Sequence, residues 1–177
     1  MEHEGFVLWF TGLPCSGKTT VADKVAERLK AKDMKVERLD GDVVRKSLTR
    51  DLGFSKEDRD KNIERVTFVS MILSRNGVAV LPAFVSPYIG ARDNARNECT
   101  NFIEVFVKCP VEECEKRDVK GMYKKAREGI IKDFTGVDDP YEDPPNPEIV
   151  LETHKETLEE STENVLKYLK GRGFYNE

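Results

Sequence analysis

The chain has 177 residues, 35% of them charged, with a formal net charge of −4. That length fits one domain able to bury its own core without disulfide or metal staples. The acidic balance excludes a surface built throughout to grip nucleic acid, but not a local cationic pocket for a small anion.

Phe6–Phe10 is an unbroken apolar run ending in Thr11-Gly12, which predicts a strand buried on both faces. From Lys18 the pattern turns helical, with Val21, Val25 and Leu29 recurring beside Ala22 and Ala26. Lys35–Leu39 reads as a second strand. Asn62–Arg75 reads as a helix carrying Ile63, Val66, Val69, Ile72 and Leu73 on one stripe. Val78–Phe84 and Phe102–Val107 read as third and fourth strands, and Pro147–Glu152 as a fifth with a start weakened by Pro147. Leu158–Leu169 reads as a terminal helix with Leu158, Val165, Leu166 and Leu169 inward and Gly171 as its stop. This alternation predicts an α/β fold of three layers, with a mostly parallel central sheet between helices. Ligands in such folds lie at the carboxyl ends of the strands.

Residues 117–147 break the regularity. They hold Gly121, Gly129, Gly136 and four prolines, with one short helix around Gly121–Arg127. A cationic cluster of Lys116, Arg117, Lys120, Lys124, Lys125 and Arg127 marks the start. A segment of this length and charge is expected to be a lid.

Gly12-Leu13-Pro14-Cys15-Ser16-Gly17-Lys18-Thr19 fits the phosphate-loop pattern G-x-x-x-x-G-K-[ST], and it stands between a buried strand and a helix as that pattern requires. Such a loop aims successive N–H groups and a positive helix end at one phosphate. Lys18 is expected on the β- and γ-phosphates of a nucleoside triphosphate, with the Thr19 hydroxyl on Mg²⁺. This makes the fold of P-loop NTPase type. Residues 1–177 are then expected to form a single P-loop kinase domain with its lid over about 117–147. Cys15, near a helix N-terminus, is either a reactive thiol or a small filler in the loop.

Asp40-Gly41-Asp42 ends the second strand. Two carboxylates beside a phosphate loop suit Mg²⁺ organisation and acceptance of a proton from an attacking hydroxyl, although Asp-Gly-Asp by itself also makes turns. Arg45, then Arg59 and Asn62 on one helical face, then Arg65, are candidates for gripping an oxyanion. Phe54 either stacks on a base or anchors its loop. Ser86, before Pro87 at the end of the third strand, is either near the ligand or part of an ordinary turn.

Together these residues resemble the adenylylsulfate kinase family. The resemblance runs nearly the whole length through Gly12–Thr19, Asp40–Arg45, Leu52–Ser55 with Asp58-Arg59 and Asn62, Phe84–Tyr88, Lys116–Asp118, Lys120–Arg127 and Asp133–Gly136. It implies transfer of the γ-phosphate of ATP to the 3′-hydroxyl of adenosine 5′-phosphosulfate (APS), with Mg²⁺. It further implies Gly12, Cys15, Ser16, Gly17, Lys18, Thr19, Thr20 and Arg117 at ATP, and Thr19 with Asp42 at the metal. Asp42, Arg45, Phe54, Arg59, Asn62, Val85, Ser86, Lys120 and Phe134 are implied at APS, with Phe54 and Phe134 sandwiching its adenine. Lys18, Asp40 and Asp42 are implied in catalysis. Ser86 holds the family's phosphoserine position, yet no base stands near it in sequence, so direct in-line transfer is expected. A homodimer is implied. A stand-alone kinase without a fused sulfurylase is expected.

Other small-molecule P-loop kinases lack the Phe-Val-Ser-Pro and Lys-Gly-x-Tyr-Lys-Lys-Ala-Arg pair together. A GTP-dependent switch is disfavoured because no Asn-Lys-x-Asp motif occurs. The longest apolar run, Val78–Val85, is far below the ~18 residues of a membrane span. The acidic Met1–Glu4 is unlike a signal peptide. A cytoplasmic protein with no membrane or nucleic-acid partner is therefore expected. Cysteines 15, 99, 109 and 114 form no Cys-x-x-Cys pair, and His3 and His154 are the only histidines, so zinc is not expected.

Overall fold

A computed structural model describes residues 4–176; Met1, Glu2 and His3 of the acidic start lie outside them. The strands are β1 (Phe6–Thr11), β2 (Val36–Asp40), β3 (Ala79–Ala83), β4 (Phe102–Val107) and β5 (Ile149–Leu151). They form one sheet in the order β2-β3-β1-β4-β5, and every neighbouring pair is parallel. The helices are α1 (Lys18–Lys30), α2 (Gly41–Val44), α3 (Lys56–Ser74), α4 (Ile89–Glu98), α5 (Val111–Arg117), α6 (Met122–Arg127) and α7 (Leu158–Gly171).

The central strand β1 explains the layering. Phe6, Leu8 and Phe10 point into a cluster with Val25 and Leu29 of α1 and Leu166 of α7. The alternate residues Val7 and Trp9 join Ile63 and Val66 of α3 and Ala95 of α4 on the other face. Burial on both faces is why the run is apolar throughout.

Four features differ from the sequence expectation, the simplest being that Leu158, in the first turn of α7, is 41% exposed and not inward. Helix α3 starts at Lys56 rather than Asn62, because Ser55 caps the Asp58 N–H and Glu57 and Asp58 occupy the positive first turn. Its buried face is Arg59, Asn62, Ile63, Val66, Thr67, Ser70 and Ser74, while Val69, Ile72 and Leu73 are only half-buried. The face is partly polar because its first turns line a site instead of a core. Helix α7 runs through Gly171. It stops at the left-handed Gly173, where the Phe174 and Gly173 amides donate to the Leu169 and Lys170 carbonyls.

Because β2, β3 and β1 are neighbours, Asp40–Asp42, Phe84–Tyr88 and the phosphate loop emerge side by side at one sheet edge. Among the described residues no helix is long and apolar enough to cross a membrane.

Candidate active site

The phosphate loop is shaped by close approach. A Cβ on Gly12 would lie 2.5 Å from the Val107 carbonyl oxygen. Gly17, at φ 101, caps α1 without any side-chain hydrogen bond, so the first N–H groups of the helix remain open to an anion. Cys15 also adopts a left-handed conformation, at φ 62. Behind the loop, Arg117 Nη1 donates to the Cys15 and Ser16 carbonyls at 3.3 and 3.2 Å, and Thr153 Oγ1 donates to Ser16 at 2.6 Å. In a planar peptide, holding the Ser16 carbonyl on this side aims the Gly17 N–H to the other. Thr19 and Thr20 are exposed on the first turn of α1.

Lys18 is buried and folded back. Its Nζ donates to the Leu13 carbonyl at 2.7 Å and the Gly12 carbonyl at 3.0 Å. Burial lowers its pKa from the ordinary 10.5 to about 8.

The two aspartates separate in role. Asp40 accepts the Thr19 hydroxyl at 2.8 Å and caps α2 through the Asp42 N–H at 3.0 Å. Asp42 instead forms an ion pair with Lys120 of the lid, raising the pKa of that lysine. The carboxylate beside Thr19 is thus that of Asp40, while Asp42 sits in α2 and turns toward Lys120.

Arg45 stacks over the Phe54 ring, 4.2 Å from its centroid, and makes no ion pair among the described residues. Burial, then the nearby Arg59, push its pKa down. Arg45 thus carries a positive charge with no carboxylate paired to it among the described residues, which suits an anion. Asn62 is 4% exposed with its Oδ1 unpartnered, a buried acceptor that the protein leaves unfilled. Phe54 is 61% exposed. Phe134 meets Tyr123 edge-on at 5.0 Å.

Arg59 is turned to the lid. It donates to the Phe54 carbonyl at 2.9 Å, to Thr135 Oγ1 and to the Asp133 carbonyl, and it pairs with Asp139 at 3.2 Å. Arg65 is spent elsewhere, on a two-oxygen pair with Asp51.

Residues 117–147 are held by specific hydrogen bonds. Asp118 accepts from the Tyr123 and Lys124 amides at the start of α6, and Tyr123 Oη donates to the Pro14 carbonyl at 2.8 Å. The Asp138 carboxylate accepts from the Asp133 and Phe134 amides. A cavity of about 470 Å³ lies between Leu13 and lid residues including Gly136, Asp139 and Tyr141.

Ser86 is 2% exposed and has φ 41. Its Oγ accepts from Trp9 Nε1 at 3.1 Å and lies 3.0 Å from Thr11 Oγ1 and 3.1 Å from the Phe84 carbonyl oxygen. Among the described residues, no carboxylate, imidazole or amine is a hydrogen-bond partner of Ser86. The neighbouring Val85 is half-buried, and its carbonyl accepts from Thr11.

A profile of the adenylylsulphate kinase family matches residues 4–152. The chain belongs to this family. It is 63% identical over 167 residues to the probable adenylyl-sulfate kinase of Pseudomonas aeruginosa, covering 94% of this chain and 78% of that one. It is 56% identical over 174 residues to the adenylyl-sulfate kinase of Picosynechococcus, covering 98% of each. Its fold matches the Mycobacterium tuberculosis APS kinase CysC, solved in complex with AMPPNP and APS, with a TM-score of 0.91 at 40% identity, covering 95% of this chain and 99% of that one. This adenylylsulfate kinase chain is accordingly an enzyme of sulfate assimilation that phosphorylates APS to 3′-phosphoadenosine 5′-phosphosulfate.

Nothing in the sequence pattern marks Trp9 and Thr153, which brace the loops, or Arg92 in its buried pair with Glu104. The partner alone leaves a signal. Glu104 interrupts the apolar strand Phe102–Val107, and a charge there needs a buried partner.

Proposed function

We propose that ATP lies on the phosphate loop, APS lies between α2–α3 and the lid, and the γ-phosphate passes directly from one to the other. The observation that carries this reading is the environment of Ser86. Its hydroxyl is enclosed by Trp9, Thr11 and the Phe84 carbonyl, with no base to make it a nucleophile.

Gly12, Cys15, Ser16, Gly17, Thr19 and Thr20 cradle the triphosphate, and Lys18 leaves the Leu13 carbonyl to place its charge on the β- and γ-phosphates. Arg117 braces the loop beside the ATP base. Arg45 and the Nδ2 donor of Asn62 receive the phosphosulfate, with Arg59 adding charge while holding the lid. Phe54 and Phe134 flank the acceptor adenine; Val85 and Ser86 form the floor. Lys120 closes over both nucleotides. Asp42 takes the proton of the 3′-hydroxyl as the new O–P bond forms and ADP leaves with the electrons of the broken bond.

The Thr19 hydroxyl and Asp40 carboxylate are hard oxygens 2.8 Å apart beside the phosphate loop, with Asp42 nearby in sequence, and they fit Mg²⁺ held largely by water and phosphate oxygens. When bound, that ion neutralises charge on the β- and γ-phosphates.

We take residues 1–177 as one kinase unit with 117–147 as its lid. A homodimer is proposed on the family resemblance alone. Four free thiols suit the cytoplasm.

The test is ADP release from Mg·ATP by the purified chain with and without APS. Release independent of APS would defeat the two-nucleotide reading, and a phosphoserine trapped at Ser86 would defeat direct transfer.

A further inference from the structure

Arg92 of α4 is 2% exposed, and its guanidinium is committed in three directions. Nε pairs with Glu104 of β4 at 3.0 Å; Nη1 donates to the Ser86 carbonyl at 2.5 Å; Nη2 donates to the Glu142 carbonyl at 2.5 Å. Glu104 is 5% exposed, and its second oxygen takes Arg96 at 3.2 Å. Arg92, anchored on α4 by Glu104 of β4, therefore grips two separate backbone segments. The first is the loop after β3 that carries Val85 and Ser86. The second is the end of the lid.

Those segments are also stitched to each other. The Glu142 amide donates to the Pro87 carbonyl at 2.8 Å, and the Ile89 amide donates to the Glu142 carboxylate at 3.1 Å. Tyr141 Oη lies 2.9 Å from Thr11 Oγ1. Ser86 holds a left-handed backbone that residues with side chains rarely adopt, so something must hold it there.

A buried Arg–Glu pair is a poor way to gain stability, because desolvation offsets its attraction. Its advantage is geometric. A planar guanidinium fixes several acceptors at set angles in a way that no apolar pair or lysine can.

We propose that Arg92 is a positioning residue for the acceptor: it sets the Val85–Ser86 backbone and the root of the lid together, and so aligns APS without touching either nucleotide. This rests on the reading of Val85–Ser86 as the floor of the APS site. The phosphate loop receives nothing from Arg92, so ATP binding should be indifferent to it.

Arg92→Lys keeps a cation beside Glu104 but cannot span both carbonyls. It is expected to lower kcat/KM for APS by about tenfold or more, as misplacement of a reactant does. The dissociation constant of an ATP analogue, measured without APS, should stay within about twofold. Glu104→Gln, which loosens the anchor while keeping its shape, should give a smaller loss of the same kind. Parallel loss of ATP and APS affinity in both variants, or unchanged APS kinetics in both, would overturn the proposal. If Arg92→Lys does not fold, Glu104→Gln decides by the same split. Val85→Phe separates the two readings. If the added bulk leaves APS kinetics at the parent level, the floor assignment itself fails. If it blocks APS while Arg92→Lys and Glu104→Gln are silent, only the positioning role fails.

Discussion

The ammonium of Lys18 donates to the carbonyl of Leu13 at 2.7 Å, so the phosphate loop holds its own lysine by backbone dipoles, with no counter-charge paired to it among the described residues. Burial holds the pKa of this group near 8. The free enzyme therefore carries the charge below about pH 8 and loses it progressively above, whereas the triphosphate favours the charged form. ATP affinity should fall as pH rises through about 8, and binding in that range should take up a proton. The fold responds oppositely. The unfolded lysine keeps its proton up to its ordinary 10.5, so this group's contribution to stability rises between about pH 8 and 10.5 and is lost as pH falls through 8. Calorimetric titration in buffers of different ionisation enthalpy checks the uptake. Lys18→Met should abolish it and weaken ATP binding by about tenfold or more. A pH-independent affinity in the parent enzyme would contradict the argument.

Ser86 and Trp9 lead to a second prediction. If the Ser86 hydroxyl only braces its loop, Ser86→Ala removes buried hydrogen bonds worth about 1–2 kcal/mol together and leaves the indole N–H unpaired. The melting temperature should drop while kcat falls less than about tenfold, since no covalent step is lost. Intact-mass analysis of the parent during turnover should show no added phosphate. A much larger fall in kcat at unchanged stability would return Ser86 to the role of nucleophile.

The sequence carried the strands, the phosphate loop and the aspartates because those signals are local. β1 is apolar since both faces are covered, and Gly12 and Gly17 stand where no side chain fits. Helix α4 escaped because Ile89–Glu98 is mostly polar, and its buried residues are Arg92 and Ala95. An arginine whose partners are a strand carboxylate and two distant carbonyls looks, in sequence, like a solvated charge. The stripe expected on α3 is buried at Ile63 and Val66, whereas Val69, Ile72 and Leu73 are half-buried because polar Thr67, Ser70 and Ser74 share the inner face. Asp40 and Asp42, two apart, were told apart only by their partners, Thr19 for one and Lys120 for the other.

The pair of Asp42 with Lys120 is exposed on both sides, at 66% and 62%, so it should add nothing measurable to stability. Asp42→Asn is expected to leave the melting temperature unchanged. It should lower kcat by about 10²–10⁴, the usual range for loss of a general base. Lys120→Ala should also melt like the parent, but its loss should appear mainly in KM for APS. Steady-state kinetics beside a thermal melt distinguish these outcomes. Equal, small effects of both variants on kcat would remove Asp42 from the chemistry.

Arg59 spans from α3 to the lid, and the lid residue whose carbonyl it takes, Asp133, follows the exposed Lys132. The Lys132–Asp133 bond is therefore a reporter of lid opening. Arg59→Gln keeps a polar side chain but loses the contacts to Thr135 and Asp139. It should raise the rate of tryptic cleavage after Lys132 by about tenfold, because cleavage follows the open population when reclosing is fast. In the parent enzyme, ATP and APS together should slow the same cleavage by closing Lys120 and its neighbours over the site. Mass spectrometry of timed digests locates the cut. Unchanged cleavage at this bond in Arg59→Gln would mean that the lid is held from its other end, by Tyr123 on the Pro14 carbonyl.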